Sequence, residues 1–178
     1  MPNSPPDQPD KVEGVVPDLH PDALPVIIAV GTLVVKLSHI HFVLEANLWS
    51  LLKIDSDVGR VLTQDLPFSS LIARFKNTLK LKNPSPELLA RFNKAFDQLD
   101  KINIERNKIV HGYWTFPDDG FPLIIPKKGQ VTQESAPTVI EILDQINGAE
   151  NFLKEFFACM NQFNNPHLEK RHICDSAP

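Results

Sequence analysis

The segment 105–114, with the sequence ERNKIVHGYW, places an arginine, an asparagine and a histidine within six residues. On a helix, where successive residues are about 100° apart, Arg106, Asn107 and His111 share one side, and Asn107 can touch His111. An arginine binds phosphate through a planar fork of donors, and a histidine exchanges protons near neutral pH. These residue types therefore indicate cleavage of RNA by its own 2′-hydroxyl, with the histidine moving the proton and the arginine stabilising the charged phosphate.

Arg106 falls on the apolar seam of the helix predicted to carry it. The preceding members of the seam, at alternating steps of four and three, are Leu88, Phe92, Ala95, Leu99 and Ile102. A guanidinium in that position needs an anion, because burial of an isolated charge is costly. The anion is either a structural carboxylate, such as Glu45 on the first predicted helix, or a substrate phosphate.

Each of these residues also has a structural interpretation. Arg106 can anchor a salt bridge, and His111 can act as a cation at the C-terminus of its helix, which is favourable by about 0.3 to 1 kcal/mol. Packing of the following segment onto the helices is the favoured role for Tyr113 and Trp114, rather than stacking on bases.

His41 and Glu45 are candidates to support the site from the first predicted helix. His41 lies on the apolar seam of that helix, and Glu45 follows one turn later. The alternative is a core histidine whose hydrogen bonds are satisfied within the fold, and we favour it for His41. The chain contains no HExxH and no paired CxxC motif, so we predict no metal site and no cofactor.

The elements that must position these residues are predicted from apolar periodicity and helix caps. A first helix is capped by Asp22, and the segment 55–67 reads as a linker with a short helix. Ser85 and Pro86 begin the helix that carries Arg106, and a capping box of Thr138 and Glu141 begins the last one. The seam of the first helix comprises Ile27, Val30, Val34, Leu37, His41, Leu44, Leu48 and Leu51. The seam of the second main helix comprises Phe68, Ile72, Phe75 and Leu79. The seam of the last helix comprises Val139, Ile142, Ile146, Ala149, Leu153, Phe156, Met160 and Phe163.

These elements predict an all-α fold, an antiparallel bundle of four to five helices with a small β-hairpin insertion between the last two main helices. The insertion, residues 113–137, is rich in aromatic and β-branched residues and is broken by PDDG and KKG. The helical domain spans residues 22–165. Residues 1–21 hold six of the 16 prolines and predict a disordered arm, and residues 166–178 predict a flexible tail.

The charge of the chain is unevenly distributed. The formal net charge is -4, but residues 73–128 contain eleven Lys or Arg against six Asp or Glu. This basic stretch includes Arg106 and favours a nucleic-acid partner, although basic residues that only solvate helix faces give the same pattern.

Composition favours a cytoplasmic protein without a membrane span. Two cysteines, Cys159 and Cys174, are too few for a disulfide scaffold, and no signal peptide pattern opens the chain. The longest apolar run, from Ala23 to Val35, has 13 residues and stops at Lys36, whereas about 20 are needed to cross a bilayer.

Arg106, Asn107, His111 and Tyr113, at the end of the third helix of a bundle, resemble the signature of the HEPN superfamily (higher eukaryotes and prokaryotes nucleotide-binding domain). In toxins of that family a tyrosine often follows the histidine by two residues. The resemblance covers roughly residues 22–163 through the order of elements. The arm and the aromatic insertion are additions to the compact toxin pattern.

The resemblance implies a homodimer in which the motifs of two chains form one metal-independent endoribonuclease site. Arg106 and its counterpart would hold the scissile phosphate, His111 would act as acid or base, and Asn107 would orient the histidine or the ribose. The products would be a 2′,3′-cyclic phosphate and a 5′-hydroxyl. Many members are toxins or defence nucleases, and some are silenced by a nucleotidyltransferase antitoxin that adds AMP to the motif tyrosine, here Tyr113. The alternative is a non-catalytic HEPN-like dimerisation module that binds RNA, a nucleotide or a protein.

Overall fold

A computed structural model describes residues 23–115, 123–125, 134–135 and 137–166. The described part is dominated by five helices, which confirms the predicted helical bundle. The arm over residues 1–21, the cap Asp22 and the tail after Pro166 lie outside the described residues. The helices are α1 (Ala23–Leu52), α2 (Ser56–Thr63), α3 (Phe68–Leu81), α4 (Pro86–His111) and α5 (Val139–Asn164).

Polar side chains begin three of these helices, and two of the caps agree with the sequence prediction. The hydroxyl of Ser85 accepts a hydrogen bond from the backbone N–H of Leu88 at 3.3 Å. Thr138 and Glu141 form the predicted capping box. Asp55 caps the short helix α2, so the segment 55–67 contains the short helix that its sequence indicates.

Five phenyl rings form the centre of the core between α3, α4 and α5. The ring centroid of Phe75 lies 5.4 Å from those of both Phe96 and Phe156, and the edge-to-face arrangement occurs with Phe156. Phe92 and Phe152 complete the cluster, and all five side chains are at most 1% exposed. This packing fixes the position of α4, the helix that carries Arg106.

The helices α1 and α3 run in the same direction, which differs from a fully antiparallel bundle. His41, in the second half of α1, stacks on Phe68 at the start of α3. Leu48 and Leu52, nearer the end of α1, line a groove with Thr78 and Leu81 at the end of α3. The reason is α2, because this short helix spans the return path and lets the chain start α3 beside the middle of α1. The neighbours α3 and α4 are joined by a turn of four residues and are antiparallel. The helices α4 and α5 are antiparallel too, since Arg91 reaches Glu155 and Ile102, later in α4, lies beside Gly148, earlier in α5.

The apolar seam predicted for α1 is wrong in its first half and is largely confirmed in its second half. Ile27 is 45% exposed, and Val30 and Val34 are only partly buried. Leu37, Leu44, Leu48 and Leu51 are buried as predicted. The buried residues of the first half are instead Ala23, Val26, Ala29 and Leu33. This half of the helix is apolar on every side, so periodicity alone does not select its core face.

The helix α4 ends at His111, and Gly112 follows it as the C-cap. Gly112 has φ -76° and ψ 157°, so it is extended rather than left-handed, because the chain enters a strand at the next residue. Three short antiparallel segments follow in the order β1-β2-β3. Their bounds are β1 (Tyr113–Thr115), β2 (Leu123–Ile125) and β3 (Glu134–Ser135). The connections between them lie outside the described residues, and the predicted β-hairpin insertion stays a prediction.

By length and composition α1 qualifies as a membrane span. Its most apolar 18 residues have a mean hydropathy of 1.9, and a third of them, 33%, are buried within the bundle. The helix continues past Lys36, so the shortness of the apolar run before that residue does not exclude a span. The core helices of soluble proteins meet the same criterion, and the absence of a membrane stays a prediction.

Candidate anion-binding site

Arg106 lies at a pocket between α1, α3 and α4. The pocket has a volume of about 200 Å³ and is lined by Leu37, Ser38, His41, Phe68, Asn103 and Arg106. The apolar walls come from α1 and the start of α3, whereas the polar groups come from α1 and α4. One cation, one amide, one hydroxyl and one imidazole therefore converge on a small partly apolar space.

The guanidinium of Arg106 has no acidic partner among the described residues. Its Nη1 donates a hydrogen bond to Oδ1 of Asn107 at 2.9 Å, and its buried Nε has no hydrogen-bond partner within that part of the chain. Glu45, the structural candidate, instead approaches His41, with 3.6 Å between Oε2 and Nδ1. A buried donor without a partner costs about 1 to 3 kcal/mol, so an acceptor that reached this N–H would offset that cost.

Three other basic residues of the stretch 73–128 differ from Arg106, because each has an acidic partner. Lys76 lies 3.0 Å from Asp97 and 3.4 Å from Asp100. The remaining pairs are Arg91 with Glu155 at 2.9 Å and Lys108 with Glu105 at 3.0 Å. These three positive charges are thus neutralised on helix surfaces. Arg106 remains the guanidinium with an unpartnered buried donor at a pocket.

These ion pairs also shift the pKa values of some of the groups involved. The hydrogen bond from Arg91 lowers the pKa of Glu155 below its ordinary value. Burial alone would lower the pKa of Lys76, but its contacts with Asp97 and Asp100 raise the pKa overall. Both shifts favour the charged forms, as expected for groups whose partners are of opposite sign.

His41 is held in the pocket wall by contacts with both ring nitrogens. Its Nε2 lies 3.3 Å from the carbonyl oxygen of Leu66, which only accepts, so Nε2 carries the proton in this contact. Its Nδ1 faces Glu45, and its ring stacks on Phe68 with centroids 5.5 Å apart. Nε2 is therefore hydrogen-bonded within the fold, whereas Nδ1 faces the Glu45 carboxylate beyond hydrogen-bond distance. This geometry suits a side chain that shapes the pocket wall.

Asn103 is the pocket residue that sequence reasoning missed. It lies one turn before Arg106, its side chain is 8% exposed, and it faces the same pocket. Its side-chain amide makes no hydrogen bond to any described residue. The available signal was its spacing, because Asn103 follows Leu99 by four residues and so falls beside the seam.

The other motif residues do not line this pocket. Asn107 and His111 are exposed, and His111 occupies the last turn of α4, about 7.5 Å along the helix axis from Arg106. His111 makes no side-chain hydrogen bond or ion pair with the described residues. The side chain of Tyr113 lies outside the described part of the chain. A single chain therefore brings Arg106 and Asn107 into contact, but it does not bring His111 into the pocket.

Trp114 packs onto the end of the bundle. Its ring is partly buried against the core, and its Nε1 donates a hydrogen bond to the carbonyl oxygen of Ile109 at 2.8 Å. This contact is the packing role favoured from the sequence.

Cys159 is a buried thiol on α5 with no part in the pocket. It is 0% exposed, and its burial raises the pKa of the thiol to about 11. The second contribution of the same sign comes from Glu155, which accepts a hydrogen bond from Sγ at 3.5 Å. Cys159 therefore packs as a small buried residue of the core.

No group of three metal-binding side chains occurs within residues 23–115 or the other described ranges. A comparison with protein-family models found no match, and comparisons with curated proteins and with solved structures found none either. The resemblance to the HEPN superfamily thus depends on the motif residues and the order of helices alone, and it stays a prediction.

Proposed function

We propose that this protein is a HEPN-like, metal-independent RNA endonuclease in which Arg106 binds the scissile phosphate. The observation that carries the proposal is the state of Arg106: its guanidinium borders a pocket, its Nε is buried without a partner, and Glu45 contacts another residue. A structural arginine would be matched by a carboxylate, as Arg91 is by Glu155. A phosphate group supplies the acceptors that Arg106 lacks.

In the proposed reaction the 2′-hydroxyl of the RNA attacks the adjacent phosphorus and expels the 5′-oxygen of the next nucleotide. His111 transfers the proton, and Arg106 neutralises the charge that develops on the phosphate oxygens. Asn107 contributes indirectly, because its Oδ1 holds Nη1 of Arg106 in place. The products are a 2′,3′-cyclic phosphate and a 5′-hydroxyl.

The proposal includes a homodimer, because His111 does not line the pocket of its own chain. An exposed apolar stripe on α1 offers a surface for the second copy: Ile28, Val35 and Phe42 are seven residues apart and are 60%, 69% and 59% exposed. Ser38 connects this stripe to the pocket, since it lies about 60° around the helix from Val35 and lines the pocket itself. A copy bound on the stripe would lie beside Arg106 and can supply His111 from the partner.

The cellular setting proposed is a cytoplasmic toxin–antitoxin or defence system. A nucleotidyltransferase-type antitoxin would silence the enzyme by adding AMP to Tyr113, which follows His111 by two residues. The proposed β-hairpin insertion between α4 and α5 begins at the same place and would cover the site or contact that antitoxin. RNA is the substrate, and no cofactor is required.

A second candidate is a binding module that holds RNA, a nucleotide or a protein without cleaving it. The observation in its favour is that the pocket is formed within one chain and does not include His111. On this alternative Arg106 binds an anion and His111 has no role in it.

The experiment that separates the two is incubation of the purified protein with mixed tRNA and mRNA in EDTA, followed by end-group analysis. The variants are Arg106→Ala and His111→Ala, and Lys101→Ala is the matched control because it removes an exposed cation from the same helix outside the pocket. The enzyme predicts cyclic phosphate ends with the wild type and Lys101→Ala, and none with the other two. A folded wild-type dimer that cuts no RNA contradicts the endonuclease. Loss of RNA binding in Arg106→Ala, but not in His111→Ala, then supports the binding module.

A further inference from the structure

Asn103 places an amide without a partner in the wall of the Arg106 pocket. Its side chain is 8% exposed, it lines the pocket, and it makes no hydrogen bond to the described residues. Neither polar atom of this amide is among the fully buried, unpartnered side-chain atoms of the described residues, so the amide faces the open space of the pocket, where it can exchange water for a ligand. An amide in this position is therefore typical of a group that hydrogen-bonds a ligand.

We propose that the pocket recognises an adenine base of the nucleotide whose phosphate Arg106 binds. An asparagine amide offers one acceptor and two donors, and adenine is the base that it pairs with through two hydrogen bonds, to N6 and N7. Phe68 supplies an aromatic wall in the same pocket, the kind of surface on which unpaired bases stack. The proposal rests on the proposed function in one respect, that the anion at Arg106 is a nucleotide phosphate.

The pocket is small, and its two polar α4 side chains lie close together. Its volume of about 200 Å³ is below the roughly 300 to 1,000 Å³ of pockets for larger ligands. Asn103 and Arg106 are three residues apart on α4, so their positions differ by about 4.5 Å along the helix axis and they face the same space. The amide therefore contacts the base while the guanidinium contacts the phosphate. The neighbouring rim is open, because Ser38 and the adjoining part of α1 are exposed.

The ligand that carries both an adenine and a phosphate is either an adenylate within single-stranded RNA or free AMP. Both use the same contacts at Asn103 and Arg106. They differ in the phosphates of neighbouring nucleotides, which only the RNA carries and which add electrostatic contacts beyond the pocket.

The test measures equilibrium binding to the full chain without cleavage. The probes are short 2′-O-methyl oligonucleotides of adenine or uracil, which lack the attacking hydroxyl, and AMP, UMP and inorganic phosphate. The variants are Asn103→Leu and Arg106→Gln, each examined for thermal unfolding in parallel.

We expect the wild type to bind the adenine oligonucleotide about tenfold more tightly than the uracil one. Asn103→Leu should abolish this preference while unfolding at the same or a higher temperature, and Arg106→Gln should weaken both oligonucleotides equally.

The proposal is overturned if the folded wild type shows no preference for adenine, or if Asn103→Leu retains the preference. If Asn103→Leu does not fold, Asn103→Asp takes its place, because it keeps the shape and replaces the amino donor by an acceptor. Its ratio of adenine to uracil affinity should fall to about one, and an unchanged ratio contradicts the proposal. Tighter binding of the oligonucleotide than of AMP identifies RNA as the source, and equal binding identifies the free nucleotide.

The outcomes of this test are independent of cleavage. If the wild type prefers adenine but cuts no RNA, the result supports the proposed base site and contradicts the proposed endonuclease. If it cuts RNA without any preference between adenine and uracil, the result supports the endonuclease and contradicts the base site.

Discussion

The carboxylate of Glu45 faces the ring of His41, with 3.6 Å between Oε2 and Nδ1, and this contact leaves Arg106 without an acidic partner among the described residues. His41 and Glu45 are both on α1, four residues apart, so their contact forms within one helix. His41 and Glu45, which the sequence predicted as candidates to support the site, therefore contact each other at its edge. The positive charge of Arg106 remains available in the pocket.

Replacement of Arg106 by methionine should separate binding from stability. Methionine keeps an apolar stem and removes the unpartnered donor, so the free energy of unfolding should change by less than about 1 kcal/mol or should rise. Binding of single-stranded RNA should weaken by about tenfold or more, because a charge-assisted phosphate contact is lost. Urea unfolding and fluorescence anisotropy measure the two quantities. Arg91→Met is the control, since it breaks the ion pair with Glu155 and leaves the pocket intact. A large loss of stability with Arg106→Met alone would indicate a structural arginine.

A charge placed on the apolar stripe of α1 should prevent dimer formation. Val35 is 69% exposed and lies midway between Ile28 and Phe42, so Val35→Glu puts a carboxylate at the centre of the proposed interface without disturbing the core. We expect the dissociation constant of the dimer to rise by about tenfold or more, because an unpaired charge would be buried between the chains. Analytical ultracentrifugation measures it. Asn151→Glu, at an exposed polar position on α5, should leave the assembly unchanged. A dimer that survives Val35→Glu places the interface elsewhere.

Substitution by alanine should lower the free energy of unfolding at Gly59 and raise it at Gly31. A Cβ at position 59 would lie 2.5 Å from Cγ of Trp49, so Gly59→Ala should lower the free energy of unfolding by about 1 to 3 kcal/mol. At position 31 a Cβ meets nothing within 4 Å, and Gly31→Ala should raise the free energy of unfolding by about 0.5 to 1 kcal/mol through helix propensity. Urea denaturation at one protein concentration tests both. If Gly59→Ala is as stable as the wild type, the close approach of Trp49 is not part of the fold in solution.

The ion pair between Arg91 and Glu155 should make stability depend on pH in the acid range. The hydrogen bond from Arg91 lowers the pKa of Glu155 in the folded chain, so folding favours the ionised carboxylate. The stabilisation is present above the ordinary pKa of 4.5 and is lost as the pH falls through the lower folded value. Glu155→Gln should therefore unfold at a lower temperature than the wild type at pH 6, and the difference should shrink at pH 3. A difference that is equal at both pH values would show that this pair does not contribute.

Local signals in the sequence were sufficient for much of the fold. The caps at Ser85 and Thr138 depend on contacts within one turn, and both are present in the structure. The seam of α4 is read correctly through Ile102, because its opposite face is polar and only one side of the helix can be buried. The nomination of Arg106 followed from the same pattern, since a cation on an apolar seam is visible without a structure.

Tertiary packing decided what local patterns leave open. The first half of α1 is apolar on every side, so its core face was selected by α5 and the other helices that pack on it, and Ile27 faces outward. Whether Arg106 pairs with Glu45 depends on the distance between α4 and α1. Local sequence patterns do not predict that distance, because the two helices are far apart in the sequence. Asn103 became part of a pocket only because α1 and α3 close around it. The sequence by itself thus determined the helices, most of their caps and the candidate arginine. The partners of that arginine were determined by the packing of three helices, because hydrogen bonds and ion pairs between helices depend on distances that only the folded chain sets.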